Sequence, residues 1–403
     1  MTHASRTASG VDAPSAIAAA SYLIALSQLI INVQPLTVGA LANAYHLSDR
    51  QLGQLSATFI GFATLCTLTG PLWIRRIHWR LFTAIAVVAS SVALVSGAWL
   101  HSAASFLILF AVLGVVKSGM AIPSFASLGD TSNPDRNYGI SVAVQSLSAA
   151  GAAAIMATVV IPKFGVPGLF VAMGGAVATG LIASRWLPAA GRASSVAGPS
   201  PAGAKVGFRS AIPVILALLG LGFFIGGILG FWYFVERIGA SRGIPADVVG
   251  LAISLSALGT ISTAATVAWL GGRVRSMVFV AGGTITTVTG YALLQVDGGA
   301  AFVTTVLLFS LGWGLAQPAY WAISRKVDVS SRLFVAGGAV SGAAGVLVGL
   351  AAGPVIEMGG YDLLILLSAG LLVVGAVSAS LSILLSNRRA IRLAPGGQRT
   401  ALG

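Results

Sequence analysis

Lys117 is the residue of this sequence best placed to do chemistry, because it stands alone inside an apolar run. It lies 11 residues before Leu128, the end of the run 104–128, which puts it ~16 Å deep if the run is helical. A charge at such depth in a bilayer is costly and usually faces a cavity or a partner. No Asp or Glu sits at comparable depth in any apolar run, so a substrate anion, backbone carbonyls or water must satisfy the ammonium. The competing reading is a lysine snorkelling into a hydrated crevice with no substrate contact.

A second set lies in the run 299–324. Trp313, Gln317, Tyr320 and Ser324 follow at steps of 4, 3 and 4, one continuous helical stripe. An indole beside an amide and a phenol can stack an aromatic solute and orient it by hydrogen bonds. Tyr320, and Trp321 beside it, also suit an interfacial aromatic belt, whereas Trp313 is too deep for one. Gln28 and Asn32 share a face with Ser21, and Gln145 shares one with Ser141 and Ser148. These amides line a cavity or bond between helices; Gln28 and Asn32 favour the cavity, and Gln145 is evenly divided.

The remaining candidates concern gating and coupling. Glu236 is the only acidic residue on an expected cavity-lining helix near the outer mouth, as a proton acceptor, as half of a gate, or as an interfacial carboxylate in water. Its neighbour Arg237 cannot face it along a helix. Asp130 with Arg136, and Asp328 with Arg332, are placed to clamp the opposite end or to act as ordinary surface ion pairs. Cys66 lies in an apolar run and His3, His46, His78 and His101 fall in tails and loops. No metal site, cofactor or catalytic residue is expected.

The elements that must position these residues follow from composition. Hydrophobic residues make up 56% of the 403 and charged ones 8%, against roughly 25% charged in a soluble domain. The net charge of +13 falls in short clusters between apolar runs rather than in a basic groove, which excludes nucleic acid as a partner. The polar N-terminus carries no signal-peptide pattern and reads as a cytoplasmic tail.

Gly119-Met120-Ala121-Ile122-Pro123 recurs as Gly314-Leu315-Ala316-Gln317-Pro318, and each copy leads to a short charged stretch closed by Arg136 or Arg332. This duplication reads as two pseudo-symmetric halves, and transporters place their substrate at such an interface. Apolar runs long enough for a ~30 Å core predict an all-α integral membrane protein of twelve transmembrane helices. They are 15–40, 51–74, 80–99, 104–128, 138–162 and 166–187, then 209–236, 245–270, 276–295, 299–324, 333–356 and 361–386. The domains are a tail 1–14, a six-helix half 15–190, a linker 191–208, a second half 209–388 and a tail 389–403.

Charge sets the orientation, because cytoplasmic loops hold the excess of Lys and Arg. With the N-terminus inside, 18 of the 23 basic residues are cytoplasmic; Arg50, Lys163, Arg237 and Arg242 lie outside and Lys117 within the membrane. Both termini are then cytoplasmic. Gly338, Gly342, Gly345, Gly349 and Gly353, at steps of 4, 3, 4 and 4, form a surface for close helix approach.

Two six-helix halves, a linker and a basic loop after the second span resemble the major facilitator superfamily. That family carries a G-x-L-x-D-R-x-G-R-like loop there. Gly70, Leu72 and Arg75 match it, while Ile74 and Ile77 replace the acidic residue and the second glycine. Leu270-Gly271-Gly272-Arg273-Val274-Arg275 is a weaker echo. Gly114, Gly119 and Pro123 suit the family's fourth span, although Ala111 stands where an arginine is usual. The fifth span lacks the G-P-x-x-G-G signature of drug/proton antiporters.

The resemblance implies a secondary transporter working by alternating access, a monomer in the cell (inner) membrane whose partners are lipid, a small solute and protons. Lys117 favours an organic anion taken up with protons. Efflux of amphipathic compounds is the alternative within the class, and a non-transporting sensor the alternative outside it. An enzyme would need paired acids, a His cluster or a nucleophile with its base at membrane depth. An ATP-driven pump would need a phosphate-binding loop. Neither pattern is present.

Overall fold

Backbone polar groups in a bilayer must be satisfied within their own segment, which leaves helices as the solution for long apolar runs. The computed structural model describes residues 10–132, 134–191, 208–270, 273–327 and 332–393. All regular structure among them is helical. The N-terminal segment contains α1 (Pro14–Asn32), α2 (Gln34–Tyr45), α3 (Asp49–Trp73), α4 (Trp79–Ser96), α5 (Ala103–Gly129), α6 (Pro134–Ile155), α7 (Ile161–Ala178) and α8 (Gly180–Ser184). The C-terminal segment contains α9 (Phe208–Trp232), α10 (Val235–Ser241), α11 (Ala246–Leu270), α12 (Ser276–Leu293), α13 (Gly299–Val327) and α14 (Arg332–Leu393).

Local sequence fixes many of the ends. Ser48 caps α3 and Ser102 caps α5, each in a reciprocal capping box with the residue three further on, Gln51 or Ser105. His78 caps α4 by accepting from the Leu81 amide at 3.2 Å. Both steps satisfy amides that a helix start leaves unpaired.

Ten helical stretches among the described residues are long and apolar enough to cross a membrane. Two of them, Arg136–Ser184 and Gly337–Asn387, contain 49 and 51 residues. As straight helices they would each run ~75 Å, over twice the hydrocarbon core. Each is interrupted by glycine: Gly165 has φ 60°, and Gly359 and Gly360 have φ −153° and 69°.

Two expected helices are broken where the sequence reading made them continuous. The run 15–40 parts at Val33 (φ −100°, ψ 8°), where Pro35 has no N–H to continue the bonding ladder. The run 209–236 parts at Tyr233 and Phe234, the latter at φ −117°, ψ 9°. No proline marks that second break.

Among the described residues the two segments meet chiefly along α3 with α14, α6 with α11, and α2 with α10. Gly342, Gly345, Gly349 and Gly353 face α3, and a Cβ on Gly349 or Gly53 would run into the other's carbonyl. Glycine at both positions is what lets these two backbones touch. Large apolar side chains on the outer helix faces, such as Leu147 and Met358, are exposed, as lipid contact requires.

Candidate functional site

Lys117 sits near the middle of α5, and its environment is specific. Its Nζ donates to Gln28 Oε1 of α1 at 2.8 Å and lies 5.4 Å from the centroid of the Phe59 ring of α3. The side chain is only 8% exposed. Of the partners expected for Lys117, none was a side-chain amide, yet Gln28 fills that role. The ammonium meets one neutral oxygen and one ring face, a cation–π arrangement, and no described carboxylate lies within ion-pair distance of it.

On the facing side, Trp313 Nε1 donates to Gln317 Oε1 at 2.9 Å, and both side chains are half-buried. The Trp313 ring lies edge-on to Trp232 at 6.2 Å and to Phe309 at 5.8 Å. Trp232 in turn donates from Nε1 to the Ile31 carbonyl of α1 at 3.3 Å. Gln28 and Ile31 occupy adjacent turns of α1, so one contact chain runs from Lys117 through Gln28, α1 and Trp232 to Trp313 and Gln317. Asn32, half-buried, ends α1 on the next turn.

The other candidates lie away from this chain. Tyr320 is 1% exposed and stacked on Phe224 at 4.7 Å, inside the C-terminal segment. Gln145 Nε2 donates to Ser141 O and Oγ, both at 3.2 Å, within its own helix. Asp130 pairs with Arg75 within the N-terminal segment, at 2.5 and 2.8 Å. That carboxylate holds the Arg75 guanidinium above its ordinary value, and Arg75 also lies over the Trp79 ring at 5.6 Å. So Arg75 has an acidic partner although Ile74 does not provide one. Arg136 is exposed at the start of α6. Asp328 and the side chain of Arg332 lie outside the described residues.

Sequence reasoning missed a cluster at the end that carries the α2–α3 and α10–α11 loops. Arg50 pairs with Glu357 at 2.6 Å and Arg242 with Asp362 at 2.6 Å. Asp49 accepts from the Tyr361 hydroxyl at 2.9 Å and lies 3.6 Å from Arg237 Nε. Arg237 also reaches Asn43 Oδ1 at 3.4 Å. Four of these contacts, Arg50–Glu357, Asp49–Tyr361, Asp49–Arg237 and Arg237–Asn43, join the two segments at that end. The charges were legible as one face, but pairings over such separations carry no local signal. Gln34 of α2, which donates to Ser56 Oγ of α3 at 2.6 Å, was missed likewise.

Helices broken beside a central site, with small-residue seams between two segments, form a transporter architecture. The family model of the Major Facilitator Superfamily matches residues 18–328. This chain belongs to the Major Facilitator Superfamily. Accordingly it is a multi-pass membrane protein and a secondary transporter of a small solute by alternating access, not an enzyme.

Solved structures agree on the fold. A mutant form of the nucleoside transporter NupG shares 16% identity, covering 91% of this chain and 99% of that one, with a TM-score of 0.67. A bacterial homolog to the human lysosomal transporter Spinster, inward-facing and unoccupied, shares 16% identity over 95% and 97%, with a TM-score of 0.62. Among curated proteins no match is found. At such identities the likeness speaks for the superfamily fold alone.

Proposed function

We propose that this superfamily member takes up a small organic anion together with protons, and that the anion neutralises Lys117. The observation that carries this reading is the Lys117 ammonium, 8% exposed in mid-span and held by an uncharged carbonyl. Positive charge without a neutralising carboxylate in a low-dielectric site is costly, and an anionic ligand removes that cost. Gln28 serves as the resident acceptor that the anion replaces. Trp313 and Gln317 offer a ring face and an amide, so an aromatic carboxylate suits the site best; Asn32 borders it. Tyr320 and Gln145 support the surrounding helices.

In this reading the long stretches turn back at Gly165 and at Gly359–Gly360, which makes twelve crossings. The halves are 15–190 and 209–388, and the termini and linker are cytoplasmic by the 18-to-4 charge asymmetry. The Arg50–Glu357 cluster then seals the outer end, and the conformation is inward-facing. The relative NupG is named for nucleosides. A neutral nucleoside would stack on Trp313 but leave Lys117 uncompensated, so we favour the anion. Efflux of amphipathic compounds is the second reading, favoured by the Trp232–Phe309–Trp313 aromatic cluster.

A thermal-stability screen of purified protein against organic acids, amines and sugars tests the proposal. A ligand at 100 times its Kd stabilises by ~2.7 kcal/mol. Aromatic carboxylates should stabilise the native protein and not Lys117→Ala. Stabilisation by amines or sugars alone would overturn the anion reading.

A further inference from the structure

We propose that the Glu236 carboxyl group is a proton-binding site, and that its proton holds shut the end of the molecule where α10 meets α2. This goes beyond the proton-coupled reading above: the proton is exchanged with one side only, and it governs that end rather than crossing the membrane.

Glu236 lies in the first turn of α10, just beyond the break at Tyr233–Phe234, and its carboxyl group rests directly on the backbone of α2. A methyl group at Gly39 would overlap both carboxyl oxygens, so the carboxyl fills the space that only glycine leaves. Its Oε2 is buried and has no hydrogen-bond partner among the described residues. The side chain as a whole is half-buried, and a carboxylate with one oxygen out of water and without a replacement donor is disfavoured against the neutral acid.

Burial holds the carboxyl group above the ordinary carboxylate range, outweighing the one neighbouring charge that acts on it, that of Arg237, which favours the ionised form. Arg237 adjoins Glu236 in sequence, but its guanidinium is turned to Asp49 and Asn43. Asp49 of α3 and Tyr361 of α14 are bonded to each other. From α2 the other titratable group is Tyr45, whose ring packs on His101 and Phe106. From α11 it is Asp247, which is exposed.

Closed and protonated therefore belong together, as do open and ionised. When α10 parts from α2, water reaches the carboxyl group, and the O–H proton passes to water on that side. Closing again requires a proton from the same side. The breaks at Val33 and Phe234 have similar dihedral angles, and they set α2 and α10 off as short segments from the bodies of α1 and α9. Proton uptake and release thus both take place at that one end, so the pH on that side sets how far it opens.

The test needs no substrate, so it stands apart from any failure of the Lys117 reading. In a Cys66→Ala background, Ala42→Cys places a thiol at a buried position of α2. Proteoliposomes are labelled with a membrane-impermeant maleimide on the face opposite the termini between about pH 5 and pH 9. Rates are normalised to Ala246→Cys, an exposed position, to correct for thiol ionisation. Normalised labelling should rise with pH by up to about tenfold per unit, the limit for one linked proton. Glu236→Gln, an isostere of the protonated acid, should stay low and flat. Flat labelling in the native background would overturn the proposal. So would an unchanged profile in Glu236→Gln, or high labelling of that variant at every pH.

Discussion

Replacing Gln28 by leucine should raise the affinity for the transported anion. In the empty protein the Lys117 ammonium donates to Gln28 Oε1 at 2.8 Å, and hydrogen bonds to charged groups contribute ~1.5–3 kcal/mol. An incoming anion must displace that bond before making its own. Gln28→Leu removes the competitor and leaves the ammonium unsatisfied, at the expense of the empty state. The full effect corresponds to about a 10- to 150-fold tighter Kd, less whatever water recovers by entering the site. Thermal stability of the empty protein should fall while ligand-induced stabilisation grows. Calorimetric titration of native protein, Gln28→Leu and Lys117→Ala with one aromatic carboxylate separates the terms. A Kd for Gln28→Leu weakened as much as that for Lys117→Ala would refute the reasoning and make Gln28 a direct substrate ligand.

Two further predictions concern the facing wall and the seal. Trp313→Ala should weaken binding by about 2- to 12-fold beyond the loss of area, and Trp313→Phe by less, because a ring contact contributes ~0.5–1.5 kcal/mol. Ligand-dependent quenching that persists in Trp313→Phe would place the ligand elsewhere; with eight tryptophans in the chain, that single-site comparison decides. At the seal, the Arg50 and Glu357 side chains are 53% and 51% exposed, so Glu357→Gln should shift the open-to-closed ratio by no more than about fivefold. Gly349→Leu drives a side chain into the Gly53 carbonyl, and overpacking of that kind costs ~1–3 kcal/mol. Spin-label distances across that end should show the glycine variant open and the charge variant nearly unchanged; the reverse order would mean that ion pairs hold the seal.

Much of the fold was legible because hydrophobic length is a direct physical signal. The expected gaps at 163–165 and 357–360 coincide with the backbone breaks at Gly165 and Gly359–Gly360. The break at Val33 had a local cue in Pro35 that was not used, whereas the one at Tyr233–Phe234 had none. Of the glycines at 338, 342, 345, 349 and 353 read as a surface for close approach, the last four form it, while Gly338 faces open space. The site was harder to read. Lys117 stood out because a charge in an apolar run is anomalous by itself. Its bond to Gln28 spans 89 residues, and side-chain pairing over that distance depends on tertiary packing. The same holds for the Asp49–Arg237–Tyr361 cluster and for the Asp130–Arg75 pair, whose members lie 55 residues apart.

The most direct measurement is counterflow of one labelled aromatic carboxylate into proteoliposomes carrying native protein, Lys117→Ala or Lys117→Arg. Exchange in the native protein, partial exchange in Lys117→Arg and none in a correctly folded Lys117→Ala is the predicted result. Native-level exchange by Lys117→Ala would contradict the claim that this charge binds the substrate.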